Sequence, residues 1–283
     1  TEEIKDEQAK PLPEGDRTRQ RIRLRFGGTA QVNDETDVIV RLATGTATNT
    51  ENTSTNQDLT DYEAKKAILV DMAYFNYRPN ENTQIWGGKT PGQYFTALNS
   101  DLVIDSDTTP EGMALKYKNG EFFINAGTDW VSERYSATGA TDNTDVGLVG
   151  FQGGYTHKMD SCDFTIAIEQ LNYANIKGAT APSSKGNTLV AGNYKYNYKL
   201  NVLDAELNTT ISGLPVGFGI EMVNNTEVSD YSNGSNFGIR VGKLKEKGTW
   251  MVAADYRELQ KDAALGMLSE SDSSGGGTDI RTT

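Results

Sequence analysis

Along most of the chain, apolar and polar residues alternate with a period of two, the spacing that places successive side chains on opposite faces of a β-strand. In Arg21-Ile22-Arg23-Leu24-Arg25-Phe26 the alternation is strict, with three arginines on one face and Ile, Leu and Phe on the other. Val38, Val40 and Leu42 alternate around Arg41, and Ile68, Val70, Met72 and Tyr74 around Asp71. Met113, Leu115 and Tyr117 enclose Lys116; Phe122, Ile124 and Ala126 enclose Asn125. The pattern returns in Phe164, Ile166 and Ile168, in Phe218, Ile220 and Met222, in Phe237, Ile239 and Val241, and in Trp250, Val252, Ala254 and Tyr256.

The connections carry a second signal. Val32 to Asp34, Pro79 to Asn82, Lys118 to Gly120, His157 to Ser161, Ser212 to Pro215 and Lys243 to Gly248 have the residues of hairpin turns. Between them run long polar links: Thr46 to Asp61, Thr90 to Pro110, Ser132 to Thr144, Ala174 to Asn187, Asn225 to Gly234, and Leu259 onward. Short and long connections alternate. A transmembrane barrel produces this, with tight turns at one rim and long loops at the other; a β-sandwich has no reason to sort its loops.

From Tyr194 the outward phase runs through Tyr196, Tyr198, Leu200 and Val202, then slips to Leu203, Ala205 and Leu207. A single strand with a bulge near Val202 explains the slip and preserves the loop alternation. The pattern then predicts twelve strands. Phe26, Tyr77, Trp130, Tyr155, Tyr173 and Tyr256 fall near strand ends, where interfacial girdles are expected.

Composition agrees. Only 36% of residues are hydrophobic, against about 45–50% in globular chains. A barrel with a wet lumen accommodates that polarity, because only alternate residues must meet lipid. No run approaches the ~18 apolar residues of a membrane helix, and no signal peptide opens the sequence, as expected of a mature or trimmed chain. A net charge of −12 argues against a nucleic-acid partner.

Catalytic chemistry finds little footing. His157 is the one histidine and lies in a turn, and with Cys162 as the one cysteine there is no zinc cluster of thiolates and imidazoles. Asp105-Ser106-Asp107 lacks the spacing of a calcium loop, and Gly275 to Gly277 lacks the Lys-Ser/Thr of a phosphate loop. No cofactor or metal is expected.

The chain resembles the putative-porin family of Gram-negative outer membranes. The likeness lies in Arg21 to Gly28, Ala30 to Val38, Arg41 to Gly45, Ser54 to Gln57, Lys65 to Tyr74, Asp105 to Leu115, Gly213 to Phe218 and Ala254 to Ala263. It implies an all-β, antiparallel up-and-down barrel, passing ions and small hydrophilic solutes, seated among outer-membrane lipid and lipopolysaccharide as a homotrimer. On this reading the whole of 1–283 is one barrel domain, with 1–20 an outside loop, 21–258 the strands and 259–283 another outside loop. One strand before and three after would make sixteen. Two departures stand out: Glu63, at an expected strand entrance, and Cys162, on an outward phase.

Charge placement suggests a constriction. In a barrel Arg21, Arg23, Arg25 and Arg41 aim at the lumen, because a lipid-facing Arg costs about 2–4 kcal/mol at the midplane; Asp71 and Lys116 take inward phases too. The Thr90 to Pro110 link, counted as the third outside loop, carries Asp101, Asp105 and Asp107, with Glu111 following. Folded inward, as in general trimeric porins, it would oppose an acidic loop to a basic wall and set a transverse field. A channel biased toward sugars or oxyanions is the alternative on the same fold, a soluble β-rich adhesin or carbohydrate-binding protein the alternative of another class, and a barrel enzyme a weaker one.

Overall fold

A computed structural model describes residues 3–4, 20–45, 53–59, 62–134, 144–271 and 275–282. Of the opening 1–20 segment, only Glu3, Ile4 and Gln20 fall among them. Twelve long strands follow one another: β1 (Arg25–Asn33), β2 (Thr36–Gly45), β3 (Ala67–Asn80), β4 (Thr83–Lys89), β5 (Glu111–Asn119) and β6 (Phe122–Ser132), then β7 (Val146–Lys158), β8 (Cys162–Ala174), β9 (Tyr198–Ile211), β10 (Leu214–Asn225), β11 (Asn233–Gly242) and β12 (Met251–Leu259). A short β13 (Ile280–Thr282) and the Glu3–Ile4 segment extend the sheet beyond β12. Each strand pairs antiparallel with its neighbour in sequence, and the end members of the fourteen-stranded sheet are β1 and Glu3–Ile4. Two-stranded pairs, Arg21–Ile22 with Gln57–Asp58 and Leu189–Val190 with Asn193–Tyr194, stand apart from it.

Burial is inside out. Ile168 is 67% exposed, Val252 63%, Val70 56% and Leu24 45%, whereas Gln152 and Asp204 are fully buried and Glu221 is 1% exposed. Ile22, Val40 and Ile166 are exposed as well, and Ile220 is half-exposed. An outward apolar face around a buried polar one suits a wall between lipid and a lumen, and would be unstable in water.

Two strands correct the expected phases. In β3, Arg41 pairs with Met72 but Leu42 with Val70, so Asp71 is an extra, bulged residue. Val70 stays outward, Met72 turns inward and is buried, and Phe75 and Tyr77 take over the outward face. The bulge delivers the Asp71 carboxylate to Arg41. β9 is one strand, but it begins at Tyr198, with Tyr194 in the separate pair, and it is unbulged: its register against β8 and β10 is unbroken. Tyr198, Leu200 and Val202 point inward and are buried. Tyr173, expected in a girdle, is buried beside them, its ring 6.5 Å from that of Tyr198.

The reason is an internal core at the end where the long connections lie. Leu148, Leu171, Leu200 and Leu259 of the inner wall pack with Leu102, Ile176 and Ala263 to Leu265 from the links. Apolar residues on both phases of β9 therefore serve two faces and need no bulge. Glu63 lies in a turn at φ 63°, ahead of β3 and not at its entrance. Cys162 opens β8, half-buried, opposite Thr209.

Candidate functional site

The link between β4 and β5, residues 90–110, is folded against the inner wall. Its contacts climb across the strands in order. Gln93 donates to Asp129 on β6. The Phe95 N–H donates to Oε1 of Gln152 on β7, and the Gln152 amide donates back to the Phe95 carbonyl, both at 2.8 Å. Gln152 is itself oriented by Asn125 at 2.8 Å and Glu169 at 2.9 Å. The N–H groups of Ala97 and Leu98 then donate to Asp204 (2.8 Å) and Glu206 (2.6 Å) on β9, and Arg240 on β11 caps the Leu98 carbonyl. Backbone donors meeting carboxylates, here buried Asp204 and half-buried Glu206, make charge-assisted bonds, roughly twice as strong as neutral ones.

Shape completes the seat. Leu98 lies over Gly217, Gly219 and Gly238, and a Cβ on Gly219 would come within 2.7 Å of Leu98 Cγ. A Cβ on Gly150 would come within 2.0 Å of the Tyr94 hydroxyl. Leu98 and Asn99 adopt φ of 53° and 51°, a left-handed conformation that L-residues seldom hold. Residues persist there when the surroundings over-determine them; here the surroundings are Asp204, Glu206 and Arg240.

The returning half of the link crosses toward β1. Asp107 receives Arg25 at 2.7 Å and lies 3.9 Å from Arg23, while Arg25 also donates to Thr55 at 3.0 Å. Of the acids expected on this link, Asp107 is the one that meets Arg23 and Arg25. Asp101 and Asp105 do not face the arginines: Asp101 accepts from the Ser106 N–H at 2.7 Å, and Asp105 accepts from Asp107 N–H (2.8 Å) and the Ser271 hydroxyl (3.0 Å). Burial raises Asp101 above the usual carboxylate range. Burial, with Asp101 and Glu270 nearby, pushes Asp105 up to about 7. The link after β12 holds this segment: the Asp105 N–H donates to the Leu268 carbonyl, Ser271 donates to the Asp105 carboxylate, and the Glu270 N–H donates to the Asp101 carbonyl.

Of the other expected residues, Arg21 lies in the pair apart from the sheet, and Arg41, Asp71, Glu111 and Lys116 lie on β2, β3 and β5. Arg21 pairs with Asp58 at 3.1 Å and Arg41 with Asp71, so neither faces an acid of the 90–110 link. Glu111 shares the outward phase of Met113 and Leu115 and pairs with Lys89 at 2.9 Å, a correction to its expected lumenal position. Lys116 is inward, its ammonium 4.7 Å above the Trp86 ring. Sequence reasoning passed over Gln152, Glu169, Asp204, Glu206, Glu221 and Arg240. They lie on the inward phases of their strands, but in β7, β8 and β9 that phase also carries Leu148, Leu171 and Leu200, so alternation alone does not single them out.

A family model described as putative porin matches residues 4–212. A search of curated proteins finds no match. Among solved structures, the chain is similar to OmpF of Salmonella typhi in complex with daunomycin, at 14% identity over 94% of this chain and 90% of that one, with a TM-score of 0.46. It is also similar to in-vitro folded OmpT of Vibrio cholerae in its trimer form (12%, 94% and 92%, TM-score 0.41) and to the outer-membrane channel DcaP of Acinetobacter baumannii (12%, 83% and 77%, TM-score 0.42). The matched residues run from the Glu3–Ile4 segment through β9, carrying the inward-folded link and most of its seat. The chain belongs to the putative-porin family, and its sheet is the wall of an outer-membrane β-barrel channel of a Gram-negative bacterium.

Proposed function

We propose that ions and small hydrophilic solutes diffuse passively through a water-filled lumen narrowed between the 90–110 link and the inner faces of β1 to β5. The observation that carries this reading is the anchoring of residues 93–98 to buried and half-buried side chains of β6, β7, β9 and β11. A loop fixed on that side leaves the basic side, with Arg23, Arg25, Arg41 and Lys116, as the opposite boundary of the passage. Asp107 supplies the negative charge next to Arg23 and Arg25. No catalytic step belongs to this reading. His157, the one histidine, is bonded to Glu121 at 2.6 Å beside a short turn and stacks on Tyr155. Assembly as a homotrimer among lipid and lipopolysaccharide is part of the proposal and follows from the family resemblance.

Reconstitution into a planar bilayer tests it. Discrete ohmic conductance steps, with reversal potentials set by an asymmetric salt gradient, are the expected result. A protein that stays monodisperse without detergent and never conducts would refute it.

A further inference from the structure

Lys116, half-buried on β5, differs from the paired cations around it. Arg21, Arg25, Arg41, Arg78 and Lys89 each meet a carboxylate. Lys116 meets none among the described residues. Its direct cross-strand neighbours are the neutral amides Gln84 and Asn125, and Asn125 is committed to Gln152. The ammonium rests instead over Trp86. Tyr74 packs against that ring, centroids 5.8 Å apart and planes inclined by 55°, and Trp86 donates its indole N–H to Gln84 at 3.3 Å. Trp86 pairs with Asn76 and Ala114, and Tyr74 with Gly88, all on the inward phase. Gly88 pairs with Gly112 one step along, so no side chain from that pair fills the space beside the rings.

We propose that Lys116, Trp86 and Tyr74 form a luminal subsite for small aromatic carboxylates, an inference that rests on the channel reading above. A half-buried ammonium without a counter-ion attracts an anion, and a carboxylate satisfies it by charge-assisted hydrogen bonds. Two tilted aromatic rings beside it offer edge and face contacts to a flat apolar body, and the ring already beneath the ammonium holds it in place. A solute carrying charge and ring together uses both halves of the site. Acetate uses one half, and a neutral ring such as benzyl alcohol the other.

The test is single-channel recording with the full protein in a bilayer, adding benzoate, acetate or benzyl alcohol to one side. Benzoate should interrupt the current at concentrations about tenfold below acetate or benzyl alcohol, in keeping with one charged and one ring contact acting together. Lys116→Gln should raise the half-blocking benzoate concentration about tenfold, Lys116→Arg should largely retain the block, and Trp86→Leu should weaken benzoate without altering the response to acetate. If Lys116→Gln does not insert, Trp86→Leu and Lys116→Arg read the same site. Conductance steps with equal block by benzoate and acetate, or benzoate block unchanged in Lys116→Gln and Trp86→Leu, would overturn the subsite and leave the channel standing. An absence of any conductance step would overturn the channel reading, and the subsite with it.

Discussion

The inner faces of β1 to β5 and of β6 to β12 solve opposite problems. On the first, cations predominate and are neutralised locally: Arg41 by Asp71, Arg78 by Asp37 at 2.6 Å. These pairs are carried by neighbouring strands and leave the face available. On the second, Asp129, Glu169, Asp204, Glu206 and Glu221 stand together with few cations, and Asp204 Oδ2 and Glu221 Oε2 have no hydrogen-bond partner among the described residues. Buried charge of one sign is costly. What offsets it is the 93–98 backbone, which brings N–H donors to Asp204 and Glu206. The contrast teaches that one half of the wall is a mount for the loop and the other is the surface the loop narrows.

The largest effect should come from dismantling the mount. With Asp204 and Glu206 both changed to Ala, the Ala97 and Leu98 N–H groups lose their acceptors, each bond to a charged group contributing about 1.5–3 kcal/mol. The left-handed Leu98 and Asn99 would then relax. Hydrogen exchange at 97 and 98 should accelerate and open-channel current noise should rise; unchanged protection there would contradict the mount. Gly219→Val attacks the same seat by volume. It forces Leu98 off the wall at a cost of about 1–3 kcal/mol, typical of overpacking, and should produce the same noise with smaller amplitude. The equivalent insertion on the outward face, Ala254→Val, should leave the noise alone.

The two halves were unequally legible in the sequence. Strand positions, turn sites and the outward apolar residues of β2, β5, β6, β8, β10, β11 and β12 followed from period-two alternation, since lipid admits one pattern only. The arginine ladder was legible in part: Arg25 and Arg41 stand on β1 and β2, whereas Arg21 lies in the separate pair with Gln57–Asp58. Where apolar residues had a second destination the reading failed. Tyr198, Leu200 and Val202 look lipid-facing but pack beneath the long links, and Met72 changes face because Asp71 is bulged. Neither can be recognised locally, because both depend on contacts between residues far apart in sequence. The same holds for Asp105, whose partners Leu268 and Ser271 lie in the link after β12.

Selectivity should report the narrowed surface with an intermediate effect. Replacing Arg23 and Arg25 by Ala should move reversal potentials toward cations. Asp107→Asn should move them toward anions, because Asp107 lies against those arginines. Asp105→Asn should do much less, since its carboxylate is turned to Ser271. All shifts should shrink as salt rises, the Debye length falling from ~10 Å at 0.1 M to ~3 Å at 1 M. Equal shifts from Asp105→Asn and Asp107→Asn would show that both acids face the passage and would erase the distinction between them.

The smallest effect expected is a pH dependence of how firmly the two links hold together. Asp105 joins them: its N–H donates to the Leu268 carbonyl at 2.7 Å, and its carboxylate accepts from Ser271. Burial, reinforced by Asp101 and Glu270, pushes its carboxyl up to about 7 in the docked state, whereas an undocked, solvated aspartate titrates near ~3.9. Between those values the docked state binds more protons than the undocked one, so docking weakens as pH rises through the window and is strongest below it. Lowering the pH from 8 to 5 should therefore increase protection of the Asp105 and Glu270 amides, the latter bonded to the Asp101 carbonyl at 2.9 Å, once exchange rates are corrected for intrinsic pH dependence. Asp101, raised in the same direction by burial, adds to the trend. Asp105→Asn should flatten most of it while leaving the Ala97 and Leu98 amides, bound to the opposite wall, as protected as before. If protection instead rises toward pH 8, the ionised carboxylate is the form that Ser271 and the Asp107 N–H stabilise, and burial is not what governs the junction of the two links.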